Sequence, residues 1–248
     1  MTIIVRRIKK TSQDKRGVTS MMPPGGSFIF FNCREALDTL RSELDLSQYQ
    51  QELVELRANS TDLEVDKYSE ILGVSFTLFD WDDREDVIIQ EGLSLEFAKQ
   101  DFLDRVGPKP VNPGEAIKFD DTGVLKSHLD EEGKLSYTYS ERMYDQLPKV
   151  IDLLRDNPDT RQAFISIWDP NIDSNRLEKE RVPCSIGYLF FRRGKWLSMI
   201  YLMRSLDVNG CLPYDLYTSS RLLDYVAEKI NAEPRYLCFI VGSLHKFD

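Results

Sequence analysis

The strongest constraint on this chain lies in its second half, where two alternating apolar runs meet across a tight turn. Residues 185–192 and 196–203 place apolar side chains at alternate positions and are joined by Arg193-Gly194-Lys195, the pattern of a β-hairpin. Residues 161–168 alternate as another strand, and 236–241 as a last one. Between them, 145–156 reads as a helix with Pro148 tolerable in its first turn, and 219–231 as a helix with Leu222, Leu223, Val226 and Ile230 inward. Interleaved strands and helices that include an antiparallel hairpin specify an α/β (α+β) fold, a mixed β-sheet with packed helices in a single domain.

The first half carries weaker signals. Residues 27–31 suit a short strand, and Asn32 looks like the N-cap of a helix bearing Leu37, Leu40 and Leu44. Ser47 with Gln50 forms a capping-box pattern, which predicts a second helix through about Leu56. In 70–79, Leu72, Val74, Phe76 and Leu78 fall on one face of a strand, and 97–106 suits a helix ended by Gly107-Pro108. From 107 to 135 the chain is rich in Gly, Pro, Asp and Lys and reads as a long loop rather than a domain boundary. Residues 1–65 are expected to form an N-terminal arm and helices, and 66–248 the main domain.

Composition excludes several classes. With 32 Lys plus Arg against 41 Asp plus Glu, the net charge is −9, which argues against a partner that is a nucleic-acid polymer or an anionic membrane. No apolar run approaches the roughly 20 residues of a membrane span, and the N-terminus lacks the order of a secretory signal. Cys33, Cys184, Cys211 and Cys238 are scattered without a C-x-x-C pair, and His128 and His245 are the only histidines, so no zinc set can be drawn. Such cysteines suit reduced thiols in a cytoplasmic protein.

Chemistry concentrates downstream of residue 136. Cys184 follows Pro183 at the start of a strand, where a neighbouring cation would lower its pKa and make it a nucleophile. Arg204 and Ser205 end another strand beside Asp207 and suit a phosphate, to which Arg161 adds a second guanidinium fork. Asp215, in Pro213-Tyr214-Asp215, stands just before a helix. Spacing alone favours the plainer reading, in which Asp215 is an N-cap and Arg204 a surface charge.

These pieces resemble the thymidylate synthase family, in its order: Tyr139 in YTYSERMYDQL, Arg161 in DNPDTRQ, then ISIWDP, Cys184 in VPCSIG, Arg204, Ser205 and Asp207 in LMRSLDV, Asp215 in LPYD, and His245 in VGSLHKF. Within the family, the pattern is most similar to the dCMP/CMP (pyrimidine nucleotide) hydroxymethylases. Upstream, EILGVSFTL resembles the family's early strand, Asp101 stands where the family has a catalytic glutamate, and Arg57 is matched to an N-terminal phosphate arginine.

The resemblance implies a thymidylate-synthase-like fold and a homodimer. It implies that a pyrimidine nucleoside monophosphate receives a one-carbon unit from 5,10-methylenetetrahydrofolate. In it, Cys184 adds to ring carbon 6, Tyr139 and Asp101 assist proton transfer, and Arg161, Arg204, Ser205, Asp207, His245 and Arg57 hold the nucleotide. Thymidylate synthases carry Asn at position 215 and Gln at 203, so Asp215 and Met203 point to a cytosine base and to a hydroxymethyl product. A uracil-nucleotide methylase and a non-catalytic nucleotide-binding homologue are the alternatives. Departures from the family pattern are Phe247 for a tyrosine, Gln162 for a second arginine, Ser185 for the residue after the cysteine, and a C-terminus that is expected to be cut short.

Overall fold

The computed structural model describes residues 26–45, 50–55, 64–175 and 181–247. The strands are β1 (Ser27–Phe30), β2 (Gln50–Glu55), β3 (Glu64–Leu78), β4 (Phe164–Ser166), β5 (Ser185–Arg193), β6 (Trp196–Asp207) and β7 (Glu233–Phe247). The helices are α1 (Cys33–Asp45), α2 (Arg84–Gln90), α3 (Leu95–Val106), α4 (Tyr139–Met143), α5 (Leu147–Asp156) and α6 (Leu212–Lys229). The strands form one mixed sheet in the order β1-β3-β7-β6-β5-β4, with β2 paired to β3. β5 and β6 make the antiparallel hairpin. β6 and β7 run parallel because α6 crosses between them, as a parallel connection requires.

Local chemistry accounts for the helix ends. At α1, the Asn32 side chain accepts from the Glu35 backbone N–H at 2.7 Å, while Asp83 accepts from Cys33 and Arg34 at 2.9 Å each. Leu37, Leu40 and Leu44 then lie fully buried, one helical turn apart. α4 opens on a capping box between Thr138 and Glu141, which sets the direction of Tyr139, its first residue. α6 starts at Leu212, well before the expected 219, because Pro213 fits a first turn whose N–H groups need no helical partner. Asp215 is therefore inside the first turn, and the N-cap is Cys211. In the long loop, Asp120 accepts from the Lys126 N–H at 3.0 Å and the Thr122 hydroxyl at 2.8 Å, so the segment is ordered without regular strands.

Two other expectations fail. Residues 50–55 are not helical; they pair antiparallel with β3, Gln50 opposite Ser69 and Glu55 opposite Glu64, so sheet pairing overrides the local capping pattern. Ser47 and Leu56 lie outside the described residues. Leu72 does not share a face with Val74, Phe76 and Leu78: it is 46% exposed, while they are buried.

The cause is a line of irregularities that crosses the sheet. Gly73 has φ +69°, and on its two sides the core-facing positions change parity, from Ser69 and Ile71 to Val74, Phe76 and Leu78. β7 changes likewise at Gly242, from Leu237, Phe239 and Val241 to Leu244. β6 changes at Arg204-Ser205, from Met199, Tyr201 and Met203 to Leu206. β5 loses register between Ser185 and Gly187, and the Ile186 carbonyl accepts from both Ile167 and Trp168 at 2.9 and 3.1 Å. Bulges bend strands and turn side chains to the other face. Here they bend neighbouring strands at one level, the level of Cys184, Arg204 and Ser205, and they end β4 sooner than its alternation predicts.

α1 and the later helices bury one sheet face, where Phe76 stacks on Phe239 at 4.4 Å. On the other face, Ile29, Phe31, Leu72, Phe79 and Ile240 remain exposed. No helix of the described residues is long and apolar enough to cross a membrane.

A Cβ at Gly242 would lie 2.7 Å from the Arg204 carbonyl oxygen, a backbone atom that cannot swing away. Gly242→Ala is expected to lower stability by about 1–3 kcal/mol through overpacking, read as a drop in urea midpoint. Gly210→Ala meets only the tip of the Asp207 side chain and serves as the milder comparison; equal midpoints for both variants would contradict the role given to the bend.

Candidate active site

Cys184 precedes β5, and its carbonyl accepts from the Arg204 N–H at 2.8 Å across the bend. The Arg204 side chain also reaches back, donating from Nε to the Pro183 carbonyl at 2.9 Å, so the guanidinium tethers the loop that carries the thiol. Cys184 is half-buried, and burial pushes its pKa up. Arg204 and Arg181 pull it down, while Asp215 and Asp207 add to the rise. The expected thiol-activating cation is thus present but does not prevail; the resting side chain is a thiol. The charges that act on the thiol are thus those of Arg204, Arg181, Asp207 and Asp215.

Asp215 reaches the same place from α6. Its Oδ1 accepts from the Tyr201 hydroxyl at 3.0 Å, and Tyr201 in turn shares a short hydrogen bond with Ser185, the residue after Cys184. Burial lifts the Asp215 pKa from the ordinary 3.8 to about 6, against the pull of Arg105 and of the Tyr201 hydrogen bond. A carboxyl in that range holds or releases its proton near neutrality, as acid–base chemistry requires. Asp207 orders the turn between β6 and α6: its Oδ1 accepts from the Asn209 N–H at 2.9 Å, and its carbonyl accepts from the Cys211 N–H at 3.1 Å.

Tyr139, from α4, completes the cluster with its hydroxyl 2.8 Å from Ser185 Oγ. Burial raises its pKa well above the ordinary phenol range. Arg105 lies 4.1 Å from the centre of the Tyr139 ring, pairs with Asp101 at 2.7 Å, and donates to the Tyr188 hydroxyl at 3.3 Å. Asp101 therefore joins the site through Arg105, with its charge opposed by a guanidinium one helical turn away.

On the other flank, β6 and β7 set Asp207 beside His245 and Ser205 beside Ser243. The His245 ring meets the Phe247 ring edge-on at 5.3 Å. Arg161 is not brought to the group. It is exposed in the loop before β4, beyond the Ala163–Phe190 hydrogen bond, whereas Cys184 lies at the other end of β5. At strand rise, that separation is roughly 20 Å. Arg57 lies outside the described residues. Among the described residues, no three His, Cys, Asp or Glu side chains cluster as a metal site would need.

Sequence reasoning missed Tyr201, Tyr188, Arg105 and Arg181, and gave Ser185 little weight. A signal existed for two of them: Tyr188 and Tyr201 occupy core-facing strand positions, where a buried phenol needs a hydrogen-bond partner. Nothing in the pattern shows that α3 would turn Arg105 inward.

Comparison with known proteins identifies the family and the fold. The family model described as thymidylate synthase matches residues 103–248. A protein of Methanosarcina mazei that carries the provisional name thymidylate synthase is 36% identical over 118 residues, 45% of this chain and 53% of that protein. One of Methanopyrus kandleri with the same provisional name is 31% identical over 156 residues, 59% of this chain and 73% of that protein. Against the first of these, the matched stretch spans about half of the relative's length. Among solved structures, thermostable thymidylate synthase A of Bacillus subtilis superposes with a TM-score of 0.64 at 14% identity, covering 87% of this chain and 80% of that one, and so shares the fold. With its sheet, its cysteine loop and more than half its length matched in this way, the chain belongs to the thymidylate synthase family.

Proposed function

We propose that this protein transfers a one-carbon unit to ring carbon 5 of a cytosine nucleotide and leaves it as a hydroxymethyl group, through a covalent bond from Cys184 to ring carbon 6. The observation that carries the reading is the hydrogen-bonded path from Ser185, the residue after Cys184, through Tyr201 to Asp215, a carboxyl whose pKa burial lifts to about 6. Carbon 5 of a pyrimidine is a poor nucleophile. Thiolate addition at carbon 6 turns the ring into an enamine and divides one hard step into two easier ones.

The carboxyl supports cytosine by proton affinity. A protonated Asp215 donates to ring nitrogen 3 and accepts from the exocyclic amine. As sulfur adds, the amidine edge becomes more basic and takes the proton, which turns two neutral hydrogen bonds into a charge-assisted pair. That gain arises in the transition state, where it speeds the reaction. The Cys184 proton leaves to solvent, favoured by Arg204 and Arg181.

Arg204 and Ser205 take the 5′-phosphate, and His245 the sugar. Arg161 of the partner subunit supplies the second guanidinium, which accounts for its distance from Cys184 within one chain. The exposed apolar sheet face (Ile29, Phe31, Leu72, Phe79, Ile240) is suited to bury against a second copy.

The donor set near the thiol fits a reduced folate such as 5,10-methylenetetrahydrofolate. The Asp207 carboxylate suits the N–H edge of a pterin, and Arg181, 4.5 Å from the Tyr137 ring centre, combines a cation with an aromatic surface. Bound there, the folate supplies carbon at the oxidation level of formaldehyde. A second reading, methylation of a uracil nucleotide, is favoured by the names of the relatives and by the fact that a neutral carboxyl also matches uracil's N–H and carbonyl.

Incubation with dCMP, CMP or dUMP plus methylenetetrahydrofolate, followed by mass analysis, tests the reading: a gain of CH2O on a cytosine nucleotide is expected, and a gain of CH2 on dUMP alone would replace it with the second reading. Cys184→Ala should reduce tritium release from carbon 5 of the substrate to the uncatalysed background. Sedimentation should give a dimer; a monomer that retains full activity would remove Arg161 from the site.

Asp215 also predicts a pH dependence of stability. Its folded pKa lies above the unfolded value, so its stabilising contribution is complete below about pH 4 and is lost as pH rises through about 6. Asp215→Asn cannot ionise. Its unfolding free energy should gain on the wild type by on the order of 3 kcal/mol between pH 4 and pH 8. Parallel stability curves for the two proteins would show that the carboxyl is not held in this way.

A further inference from the structure

We propose that Ser185 and Tyr201 form a proton relay that joins the Tyr139 hydroxyl to the Asp215 carboxyl, so that as ring carbon 5 gives its proton to Tyr139, the carboxyl that reads the base gains one. The inference rests on the roles given above to Cys184 and Asp215 and deepens them. Four side chains from four elements make a continuous line: Tyr139 to Ser185 at 2.8 Å, Ser185 to Tyr201 by a short bond, and Tyr201 to Asp215 Oδ1 at 3.0 Å. The two middle residues are fully buried, and the Tyr201 ring is clamped between Tyr188 at 4.5 Å and Phe239 at 5.3 Å. Bulk water therefore cannot substitute for a missing hydroxyl, and the hydroxyls have fixed partners.

A hydroxyl donates one hydrogen and accepts others, so a row of three can point in either of two senses. With Asp215 ionised, Tyr201 donates to it, Ser185 donates to Tyr201, and Tyr139 donates to Ser185. Tyr139 then presents only lone pairs to the substrate, as a proton acceptor must. With the proton on Asp215 Oδ1, the row reverses and Tyr139 presents a hydrogen instead. The charge at one end thus sets the function of the other, and the state reached after Asp215 has given its proton to ring nitrogen 3 is the one in which Tyr139 is ready to accept.

The transfer balances. The bond from carbon 5 to hydrogen breaks, its electron pair stays in the ring as the enamine, and an O–H bond forms at Tyr139. The original Tyr139 proton passes to Ser185, that of Ser185 to Tyr201, and that of Tyr201 to the carboxylate. One carboxylate is neutralised and no hydroxyl is left charged, so the high pKa of the Tyr139 phenol is no obstacle. Arg105 from α3, over the Tyr139 ring and against the Tyr188 hydroxyl of β5, favours the transient negative charge along the line, and its pairing with Asp101 fixes it there. The other titratable groups near the line are Tyr137 ahead of α4, and Cys184 and Cys211 beside Asp215.

Tyr201→Phe keeps the ring and removes the hydroxyl. It is expected to leave nucleotide affinity within about twofold and to slow tritium release from carbon 5 by about a hundredfold, the scale of positioned acid–base catalysis. Thiol addition at carbon 6, followed by capture of the Cys184 adduct, should be little changed. The solvent-isotope dependence of tritium release should be curved in the wild type, as several protons move together, and linear in the variant. Ser185→Ala should behave alike, and Ser185→Thr, which restores a hydroxyl, should recover most of the rate. Tritium release within threefold of wild type in both Tyr201→Phe and Ser185→Ala overturns the relay, as does an equal loss in adduct formation and tritium release, which marks a structural role only. Should the wild type itself fail to release tritium from any cytosine or uracil nucleotide, or Cys184→Ala still release it, the underlying reading falls as well. Active wild type with unaffected variants removes the relay alone.

Discussion

The site depends on a bend in the sheet, where β7 passes so close to β6 that a Cβ at Gly242 would lie 2.7 Å from the Arg204 carbonyl oxygen. A β-strand sends successive side chains to opposite faces, so a regular β6 would alternate rigidly from the core into the cleft. With the parity change at Arg204-Ser205, Tyr201 and Met203 fill the core side while Arg204 stands exposed two residues from Leu206, which is buried again. Similar breaks at Gly73 and near Ile186 keep neighbouring strands in step, so hydrogen bonding across the sheet survives the change of direction. The cysteine loop, the guanidinium that tethers it and the strand end that carries Asp207 all lie at or just beyond that level.

Much of the architecture is written in short-range chemistry. The hairpin, the α1 cap at Asn32 and the buried stripe of α6 follow from periodicity and capping, and these features also separate the fold from an all-parallel sheet. What is not written locally is the outcome of competition. Residues 50–55 carry a helix-start signal and yet pair with β3, because an edge position was available there. Leu72 matches its neighbours' apolar pattern but lies beyond a glycine whose φ reverses the alternation. Asp215 reads as a cap from sequence, yet the helix begins three residues earlier.

The candidate site shows the same division. Motif order marks Cys184, Arg204, Asp207 and Asp215, and the fold gathers them. The groups that connect them were invisible, since a tyrosine in a strand and an arginine in an amphipathic helix look like ordinary core and surface. Their significance comes from burial: Arg105 and Asp101 form an inward ion pair, and Asp215 is a further carboxyl in the same low-dielectric region. Burial is the main reason why the carboxyl keeps its proton to about pH 6; the Asp101 charge adds to it, and Arg105 and the Tyr201 hydrogen bond oppose it.

Arg204 also has a dual occupation. Its Nε donates to the Pro183 carbonyl at 2.9 Å and its Nη2 to the Val182 carbonyl at 3.5 Å, while the residue itself stays exposed. A lysine there would preserve the charge but concentrate its donors at a single tip, so tethering the loop and meeting an anion would become rival demands. In the proposed reaction, an anion drawing on the outer edge of this fork would pull on the backbone immediately before the sulfur, so that one rigid planar group would link the phosphate end of a nucleotide to the Cys184 loop.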